Sequence, residues 1–287
     1  MGLVPDQLLS LQGAGAKISG GYARRRLRLA ALGRGFDSRR LHHFPPLAGA
    51  TPGRAVLGFP DFAQRLDETR SRIEAAARRA GTDPDQITII AVTKGHDFSA
   101  MMCALKHGLV ELGENRVQDA LPKLELLANL EDNRARVHLI GQLQTNKVNK
   151  VVGRFASIMG VDRPDLLTKI AHRAEDLQVT QPVWIQANVS DEEQKGGASP
   201  DQVASLVEGV SASAGLELVG LMAMGRAGAP EKELRAGFAR LRELRDLHCP
   251  NGALSIGMSG DFELAVEEGA THLRLGTTLF GPRPKRA

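Results

Sequence analysis

A lysine stands at the end of an apolar, β-branched run, Ile87-Thr-Ile-Ile-Ala-Val-Thr-Lys94. Such a run is typical of a buried strand, and parallel α/β folds carry their chemistry at the carboxyl ends of their strands. A partly desolvated amine at that place can form a Schiff base with a carbonyl group. The alternative is a lysine that turns to solvent where the strand leaves the sheet, as lysine side chains usually do.

Two loops far downstream have the composition of an anion site. They read Gly257-Met-Ser-Gly-Asp261 and Leu275-Gly-Thr-Thr278. Glycine lets backbone N–H groups approach an anion, hydroxyl groups donate further hydrogen bonds, and a helix beginning near Asp261 would add its positive dipole end. Small residues also serve simply as turns after strands. A phosphate site is therefore predicted only if the fold brings the two loops together.

Arg274 precedes Gly276 by two residues, so both side chains are expected on the same face of a strand. A buried arginine usually has a carboxylate partner. The alternative is a cation that donates to a pyridine nitrogen, which is one way in which proteins tune a pyridoxal phosphate ring. Together with Lys94 and a phosphate loop, this arginine would surround one aromatic aldehyde.

From Phe59 onward the chain alternates between strand-like and helix-like segments. Strands are predicted at 87–94, 110–115, 137–143, 157–162, 182–189, 216–224, 253–259 and 272–276. Helices are predicted at about 60–80, 98–107, 116–130, 145–154, 164–177, 200–214, 231–247 and 261–268. None is predicted after the eighth strand, and the helix at 60–80 is expected to take the vacant place.

This alternation predicts right-handed βαβ units and a parallel sheet covered by helices. Eight such units in roughly 230 residues favour one closed (β/α)8 domain, a TIM barrel over residues 58–287, rather than an open sheet. In that fold the loops after the strands form the functional face, and the loops after strands seven and eight often bind phosphate. Lys94 and Arg274 would then lie on neighbouring strands, because strand eight closes on strand one.

Residues 1–57 differ in composition from the rest of the chain. They hold nine Lys or Arg against two Asp, a net charge of +7, so the +4 of the whole chain leaves −3 for the remainder. The predicted barrel thus has no basic excess for binding nucleic acid. We expect this arm to lack packed structure. It can be an organellar transit segment, a basic tail for acidic partners, or non-native sequence from a start placed too far upstream.

No run of about eighteen or more apolar residues occurs, so no membrane span is expected. Cys103 and Cys249 are far apart, which argues against a disulfide framework and against a cysteine metal site. A reducing compartment is expected, the cytoplasm, or an organelle if the arm is a transit segment.

Several stretches resemble the pyridoxal phosphate homeostasis proteins, and the resemblance extends over residues 59–284. These stretches are Ala91-Val-Thr-Lys94, Gly113-Glu-Asn115, His138-Leu-Ile-Gly-Gln-Leu-Gln-Thr-Asn-Lys147, Gly220-Leu-Met222, Gly257-Met-Ser259, and Arg274-Leu-Gly-Thr277 with Phe280-Gly281. The family's barrel is similar to the N-terminal domain of alanine racemase and holds pyridoxal 5′-phosphate as a Schiff base. Gly95-His96-Asp97 departs from the family pattern, which leaves the first functional loop in question.

The resemblance implies a role for each matching residue. Lys94 would carry the Schiff base and Arg274 would contact the pyridine nitrogen. The phosphate contacts would be Ser259, Gly276 and Thr277, and the pocket would be lined by Asn115, His138, Asn188, Met222 and Met258. Without the resemblance, His138 and the two methionines would be assigned to the core.

Three functions are weighed. The first is a carrier, expected to be a monomer, that stores pyridoxal phosphate and supplies it to apo-enzymes, with other B6 vitamers or amino acids as further ligands and no metal. The second is a pyridoxal phosphate-dependent amino-acid racemase. The third is a barrel that has lost its ligand, and the intact Lys94, Ser259, Arg274 and Thr277 argue against it.

The carrier is favoured over the racemase for two reasons. A two-base racemase needs a second acid/base, a tyrosine in alanine racemase, which an additional C-terminal domain delivers. Here the only tyrosine is Tyr22, and the chain ends six residues after Gly281. An arginine at the pyridine nitrogen also disfavours ring protonation, which makes the ring a weak electron sink. No robust turnover is therefore expected.

Overall fold

The computed structural model describes residues 58–131, 133–190 and 196–282. The expectation of an arm without packed structure at 1–57 lies outside the described residues. Within them, no helix is both long and apolar enough to span a membrane. No cluster of three or more side chains suited to holding a metal occurs among these same residues.

Eight parallel strands close into a barrel in chain order, which confirms the predicted TIM barrel. The strands are β1 Thr88–Val92, β2 Glu111–Glu114, β3 Arg136–Leu139, β4 Ser157–Val161, β5 Gln181–Gln186, β6 Leu216–Met222, β7 Ala253–Ser255 and β8 His272–Leu275. The barrel closes where β8 pairs with β1, with Arg274 opposite Ile90. All eight strands end before the predicted boundary, because the residues that follow them turn into the loops of the functional face.

Helices separate most of the strands and cover the barrel. They are α1 Phe62–Ala80, α2 Phe98–Lys106, α3 Val117–Ala128, α4 Pro164–Asp176, α5 Pro200–Ser211, α6 Glu231–His248, α7 Phe262–Glu267 and α8 Thr277–Phe280. The main core lies between the strands and these helices. A second apolar cluster fills the barrel interior, with Ile90, Val92, Ile140, Met159, Trp184 and Met222 as its buried members.

Helix α1 takes the vacant place in the outer ring, as predicted. Its buried face includes Phe62 and Ile73, and it ends at Gly81, whose φ of 66° is the left-handed conformation that glycine adopts without strain. It packs against α7 and α8. The Phe62 ring lies 5.0 Å from the ring of His107, which follows α2. The helix before strand one thus closes the ring between α7 and α2.

Two predicted features of the helical layer are wrong. The segment 145–154 is not an α-helix but contains a 3-10 helix at Thr145–Lys150, with Val148 as its buried residue. Its Thr, Val and Asn residues have low helix propensity, and one buried apolar residue gives little packing to offset that. In addition, α8 follows strand eight, where no helix was predicted. The buried Leu279 and Phe280 anchor this single turn, which is too short to show a helical period.

Candidate cofactor site

Lys94 follows β1 in a tight turn. The His96 N–H donates to the Thr93 carbonyl oxygen at 3.2 Å, and Gly95 has a φ of 81°. This is the pattern of a type II turn, which requires positive φ at its third residue and therefore favours glycine. Lys94 is the second residue of the turn and is partly buried. Gly95 is thus what allows the chain to turn immediately after the lysine.

The other two residues that depart from the family pattern also have structural roles. The His96 ring packs against the rings of Phe59 and Phe280, at centroid distances of 5.4 and 5.5 Å. This cluster joins the loop after β1 to α8. Asp97 caps α2 by accepting the Ser99 N–H at 2.9 Å. The departure from the family pattern therefore produces an ordered loop.

Lys94 follows a strand end that lies beside Gly276. Ile90 and Val92 on β1 belong to the interior cluster, and Lys94 lies two residues beyond Val92, in the turn after the strand. After β8, a Cβ atom at Gly276 would lie 3.4 Å from the Val92 carbonyl oxygen. The absence of a side chain at Gly276 thus leaves space next to the strand end that carries the lysine.

The loops after β7 and β8 meet at Ser259. Its Oγ accepts the N–H of Gly276 at 3.3 Å and the N–H of Thr278 at 3.2 Å. The Thr278 hydroxyl donates to the Ser259 carbonyl oxygen at 3.4 Å. Two backbone N–H groups that converge on one oxygen form the kind of concavity that binds phosphate oxygens. We call Ser259, Gly276, Thr277 and Thr278 the phosphate cup.

Gly257 allows the first of these loops to pack closely. Its φ is 91°, and a Cβ atom there would lie 2.7 Å from the Ala265 Cβ and 2.8 Å from a Leu273 methyl carbon. A side chain at this position would push the loop away from α7 and β8. Asp261, before α7, holds the same loop by accepting the Met258 N–H at 2.5 Å.

Arg274 is buried in the barrel interior and is held by neutral groups. Nη1 donates to the carbonyl oxygen and the hydroxyl of Ser255 at 2.7 and 2.6 Å, and Nη2 donates to the Ala223 carbonyl oxygen at 2.8 Å. Burial lowers the pKa of Arg274 to about 10, and the charge of Asp261 opposes this shift. Within the described residues, no carboxylate lies within ion-pair distance of this arginine. The expected carboxylate partner is replaced by carbonyl oxygens.

The sequence predicted Asp261 only as the start of a helix. In the structure, the charge of its carboxylate also raises the pKa of Arg274, against the effect of burial. Burial raises the pKa of the Asp261 carboxyl group above its usual value, while the Met258 N–H and the charge of Arg274 oppose the rise. The acid therefore orders the β7 loop, and its charge acts on the arginine without an ion pair between them.

The remaining predicted pocket residues, apart from His138, lie at the carboxyl ends of strands. Asn115 follows β2, and a Cβ atom at Gly141 would lie 2.9 Å from its side-chain oxygen. Asn188 follows β5, and its Oδ1 accepts the Ser190 N–H at 3.2 Å. Met222 ends β6 within the interior cluster, and Met258 lies partly buried in the loop after β7. These residues surround the same end of the barrel as Lys94.

The structure does not bring His138 to this group. Its Nε2 lies 2.6 Å from a Glu111 carboxylate oxygen, and its Nδ1 lies 2.7 Å from the Ser157 hydroxyl. Glu111 and Ser157 are the first residues of β2 and β4, so the ring nitrogens are engaged at the starts of the strands. The spacing of the sequence motif predicts that the His138 side chain lies on the inward face of β3. It does not predict towards which end of the barrel the imidazole ring is directed.

A buried polar unit behind Lys94 was missed by the sequence reasoning. Thr93 Oγ1 donates to Glu114 Oε1 at 2.6 Å, and Lys123 Nζ donates to the same oxygen at 2.6 Å. A sequence signal for Lys123 exists, because the other buried positions of α3, Val117, Ala120 and Leu127, place it on the buried face at helical spacing.

The donor set fits a phosphorylated aromatic aldehyde. Lys94 supplies an amine, the phosphate cup supplies convergent N–H and hydroxyl groups, and Arg274 supplies a buried cation. Lys94 follows β1, the cup joins the loops after β7 and β8, and Arg274 lies on β8. No metal is needed to complete this set of contacts.

This chain is similar to several known proteins. The alanine racemase N-terminal domain family matches residues 65–284. The pyridoxal phosphate homeostasis protein of Pseudomonas aeruginosa is 38% identical over 223 residues, covering 77% of this chain and 96% of the relative. The corresponding protein of Aquifex aeolicus is 37% identical over 227 residues, covering 77% and 97%.

Solved structures are also similar to this chain. PipY of Synechococcus elongatus, solved with pyridoxal phosphate bound, superimposes with a TM-score of 0.66 at 33% identity, covering 77% of this chain and all of that chain. Alanine racemase from Corynebacterium glutamicum, at 14% identity and a TM-score of 0.57 over 76% of this chain and 62% of its own, shares the fold. The chain therefore belongs to the pyridoxal phosphate homeostasis protein family.

Proposed function

We propose that this chain holds pyridoxal 5′-phosphate as a Schiff base on Lys94 and supplies it to apo-enzymes, as a protein of vitamin B6 homeostasis. One observation carries the proposal: a strand-end lysine shares the mouth of one barrel with a phosphate cup and a buried arginine. A relative solved with pyridoxal phosphate bound, PipY, supports the proposal, since it is 33% identical and covers 77% of this chain. Pyridoxal phosphate contributes a reactive aldehyde and an electron-accepting ring when bound.

In this proposal the phosphate cup fixes one end of the ligand. The N–H groups of Gly276 and Thr278 point at Ser259 Oγ in the protein described here. We expect a phosphate oxygen to take these N–H groups and the serine hydroxyl to rotate and donate to the phosphate. Thr277 stands between the two N–H donors and adds a further hydroxyl at the start of α8.

Arg274 would face the other side of the ring. Because its charge persists and it has no proton acceptor site, it can donate a hydrogen bond to the pyridine nitrogen but cannot share a proton with it as a carboxylic acid would. The carbonyl oxygens of Ser255 and Ala223 hold it in place. The ring would remain unprotonated, which suits storage of the aldehyde better than removal of an α-proton.

We further propose that the chain has no robust racemase activity. His138, the first alternative for a second base, has both ring nitrogens engaged with Glu111 and Ser157. The only tyrosine of the chain, Tyr22, lies outside the described residues. We also propose that the protein is a monomer and that it is located in the cytoplasm. Gel filtration would test the first point and cell fractionation the second.

The test separates a carrier from a racemase. Loaded protein is mixed with an apo-enzyme that needs pyridoxal phosphate, and recovery of that enzyme's activity is measured. In parallel, deuterium exchange at the α-carbon of several L-amino acids is followed by NMR, with Lys94→Ala as the blank. We expect recovery without appreciable exchange. Exchange that depends on Lys94 at about 1 s⁻¹ or faster, within the ordinary enzyme range, would contradict the carrier proposal.

A further inference from the structure

A buried ion pair lies directly behind the lysine that we propose to carry the cofactor. Glu114 and Thr93 are completely buried, and Lys123 is 7% exposed. Lys123 Nζ and Glu114 Oε1 are 2.6 Å apart. The second carboxylate oxygen, Oε2, is buried and has no hydrogen-bond partner among the described residues. Thr93 and Lys123 therefore both donate their hydrogen bonds to the same carboxylate oxygen, Oε1.

Stability does not explain this arrangement. Two charges taken out of water incur a large desolvation penalty, and apolar residues of similar size in place of a buried ion pair are often as stable or more stable. The surroundings at this position are apolar, since Val117, Ala120 and Leu127 share the buried face of α3. An apolar side chain at Lys123 would suit this face, so the pair calls for another explanation.

The pair controls the peptide group that leads into Lys94. The Thr93 carbonyl oxygen accepts a hydrogen bond from Lys123 Nζ at 3.1 Å and from the His96 N–H at 3.2 Å. The Thr93 N–H donates to the Gly113 carbonyl oxygen at 3.0 Å, and the Thr93 hydroxyl donates to Glu114. All three polar groups of Thr93 are thus fixed, and the plane of the Thr93–Lys94 peptide bond is fixed with them.

The same unit reaches the second strand end of the site. Glu114 is followed by Asn115, one of the residues at the barrel mouth. The Thr93–Glu114 hydrogen bond extends the pairing of β1 and β2 beyond the last paired residues, Val92 and Gly113. Lys123 adds the link to α3. Lys94 and Asn115 therefore leave their strands from one hydrogen-bonded unit.

We propose that Thr93, Glu114 and Lys123 are positioning residues that orient the Lys94 amine for attack on the cofactor aldehyde. This inference rests on the proposed function. The unit holds the turn of Lys94 in one conformation, so the amine enters the barrel mouth along one direction. If the unit is removed, the peptide before Lys94 can rotate, and the amine spends less time in a reactive orientation.

The test uses variants that remove the unit without leaving an unpaired buried charge. Glu114→Met combined with Lys123→Met replaces the pair by apolar side chains, Thr93→Val replaces the hydroxyl by a methyl group, and Thr93→Ser keeps the hydroxyl. Glu111→Gln, at the other end of β2 and directed into the barrel, is the matched control. Cofactor-free proteins are compared by melting temperature and by the rate at which Schiff base absorbance appears after pyridoxal phosphate is added.

We expect the double methionine variant to keep its melting temperature and to form the Schiff base about tenfold to a hundredfold more slowly. Thr93→Val should also slow the reaction, whereas Thr93→Ser, which keeps the hydroxyl, should react at about the wild-type rate. If the double variant does not fold, the comparison of Thr93→Val with Thr93→Ser tests the inference instead. Wild-type rates in every folded variant would overturn the inference.

A cofactor-free measurement separates this inference from the proposed function. Competitive acetylation with acetic anhydride reports the reactivity of each lysine amine, with Lys147 as the internal reference. We expect the reactivity of Lys94 relative to Lys147 to change severalfold in the double variant and in Thr93→Val. An unchanged ratio would overturn the inference even if the wild-type protein binds pyridoxal phosphate. A changed ratio in a protein that does not bind it would overturn the proposed function, while showing that the unit still sets the reactivity of the Lys94 amine.

Discussion

The phosphate cup predicts a specific consequence of removing one hydroxyl group. Ser259→Ala deletes the oxygen on which the N–H groups of Gly276 and Thr278 converge. In the proposed complex that hydroxyl donates to a phosphate oxygen, and hydrogen bonds to a charged group contribute about 1.5–3 kcal/mol. The loss of this bond should weaken the binding of pyridoxal phosphate.

A smaller effect opposes this loss. In the free protein the two N–H groups donate to Ser259 at 3.3 and 3.2 Å, longer than the usual distance of about 2.9–3.0 Å, so both bonds are weak. Phosphate binding in the variant no longer has to break them, which returns about 0.5 kcal/mol for each. The net loss is about 0.5–2 kcal/mol, which corresponds to a dissociation constant about two to thirty times higher.

The assay compares two ligands that differ only in the phosphate. Absorbance titration gives dissociation constants for pyridoxal phosphate and for pyridoxal with wild type and Ser259→Ala. Ser213→Ala serves as the control, because Ser213 donates to the Gly209 carbonyl oxygen away from the barrel mouth. We expect weaker binding of pyridoxal phosphate only in Ser259→Ala, and unchanged binding of pyridoxal. Equal weakening of both ligands, or no change in either, would refute the assignment of the cup to phosphate.

Three further predictions concern stability. Arg274→Met leaves buried carbonyl oxygens without their donor and should lower the free energy of unfolding by about 2–5 kcal/mol in urea denaturation; a change below about 0.5 kcal/mol would contradict the contacts described. Burial alone would raise the pKa of Glu111, but His138 and Arg136 lower it below its usual 4.5, so its contribution is present above pH 4.5 and is lost as the pH falls through the folded-state pKa. The melting temperature of wild type should therefore fall more steeply with acid than that of Glu111→Gln, and parallel curves would count against this linkage. A chain that begins at Val56 should keep its melting temperature and its cofactor, because α1 begins later; a fall of more than about 5 °C would show that the arm stabilises the barrel.

The barrel could be predicted from the sequence because its signal is repeated. Apolar runs alternate with segments of helical period, and eight such runs leave one common architecture. The inward direction of Arg274 follows from period-two alternation on β8, and the meeting of the β7 and β8 loops follows from strand order. The short α8 has no such repeat, because it is one turn anchored by Leu279 and Phe280.

Contacts between residues distant in the chain were harder to predict. Alternation directs His138 into the barrel, but its partners Glu111 and Ser157 are set by the register of three strands. The same holds for Glu114, which accepts a hydrogen bond from Lys123 of α3 only because β2 and α3 pack together. Periodicity predicts on which face of a strand or helix a side chain lies. The tertiary structure determines which other side chains it contacts.

The central claim is that Lys94 carries the cofactor, and one measurement tests it directly. Purified protein is mixed with pyridoxal phosphate, reduced with borohydride and digested, and the modified peptide is identified by mass spectrometry. Lys94→Arg, which keeps the charge but cannot form a Schiff base, and Lys147→Arg, on the 3-10 helix after β3, are treated in the same way. The account predicts the adduct on Lys94 in wild type and in Lys147→Arg, and its absence in Lys94→Arg. An adduct that persists in Lys94→Arg, or that maps to Lys147, would contradict it.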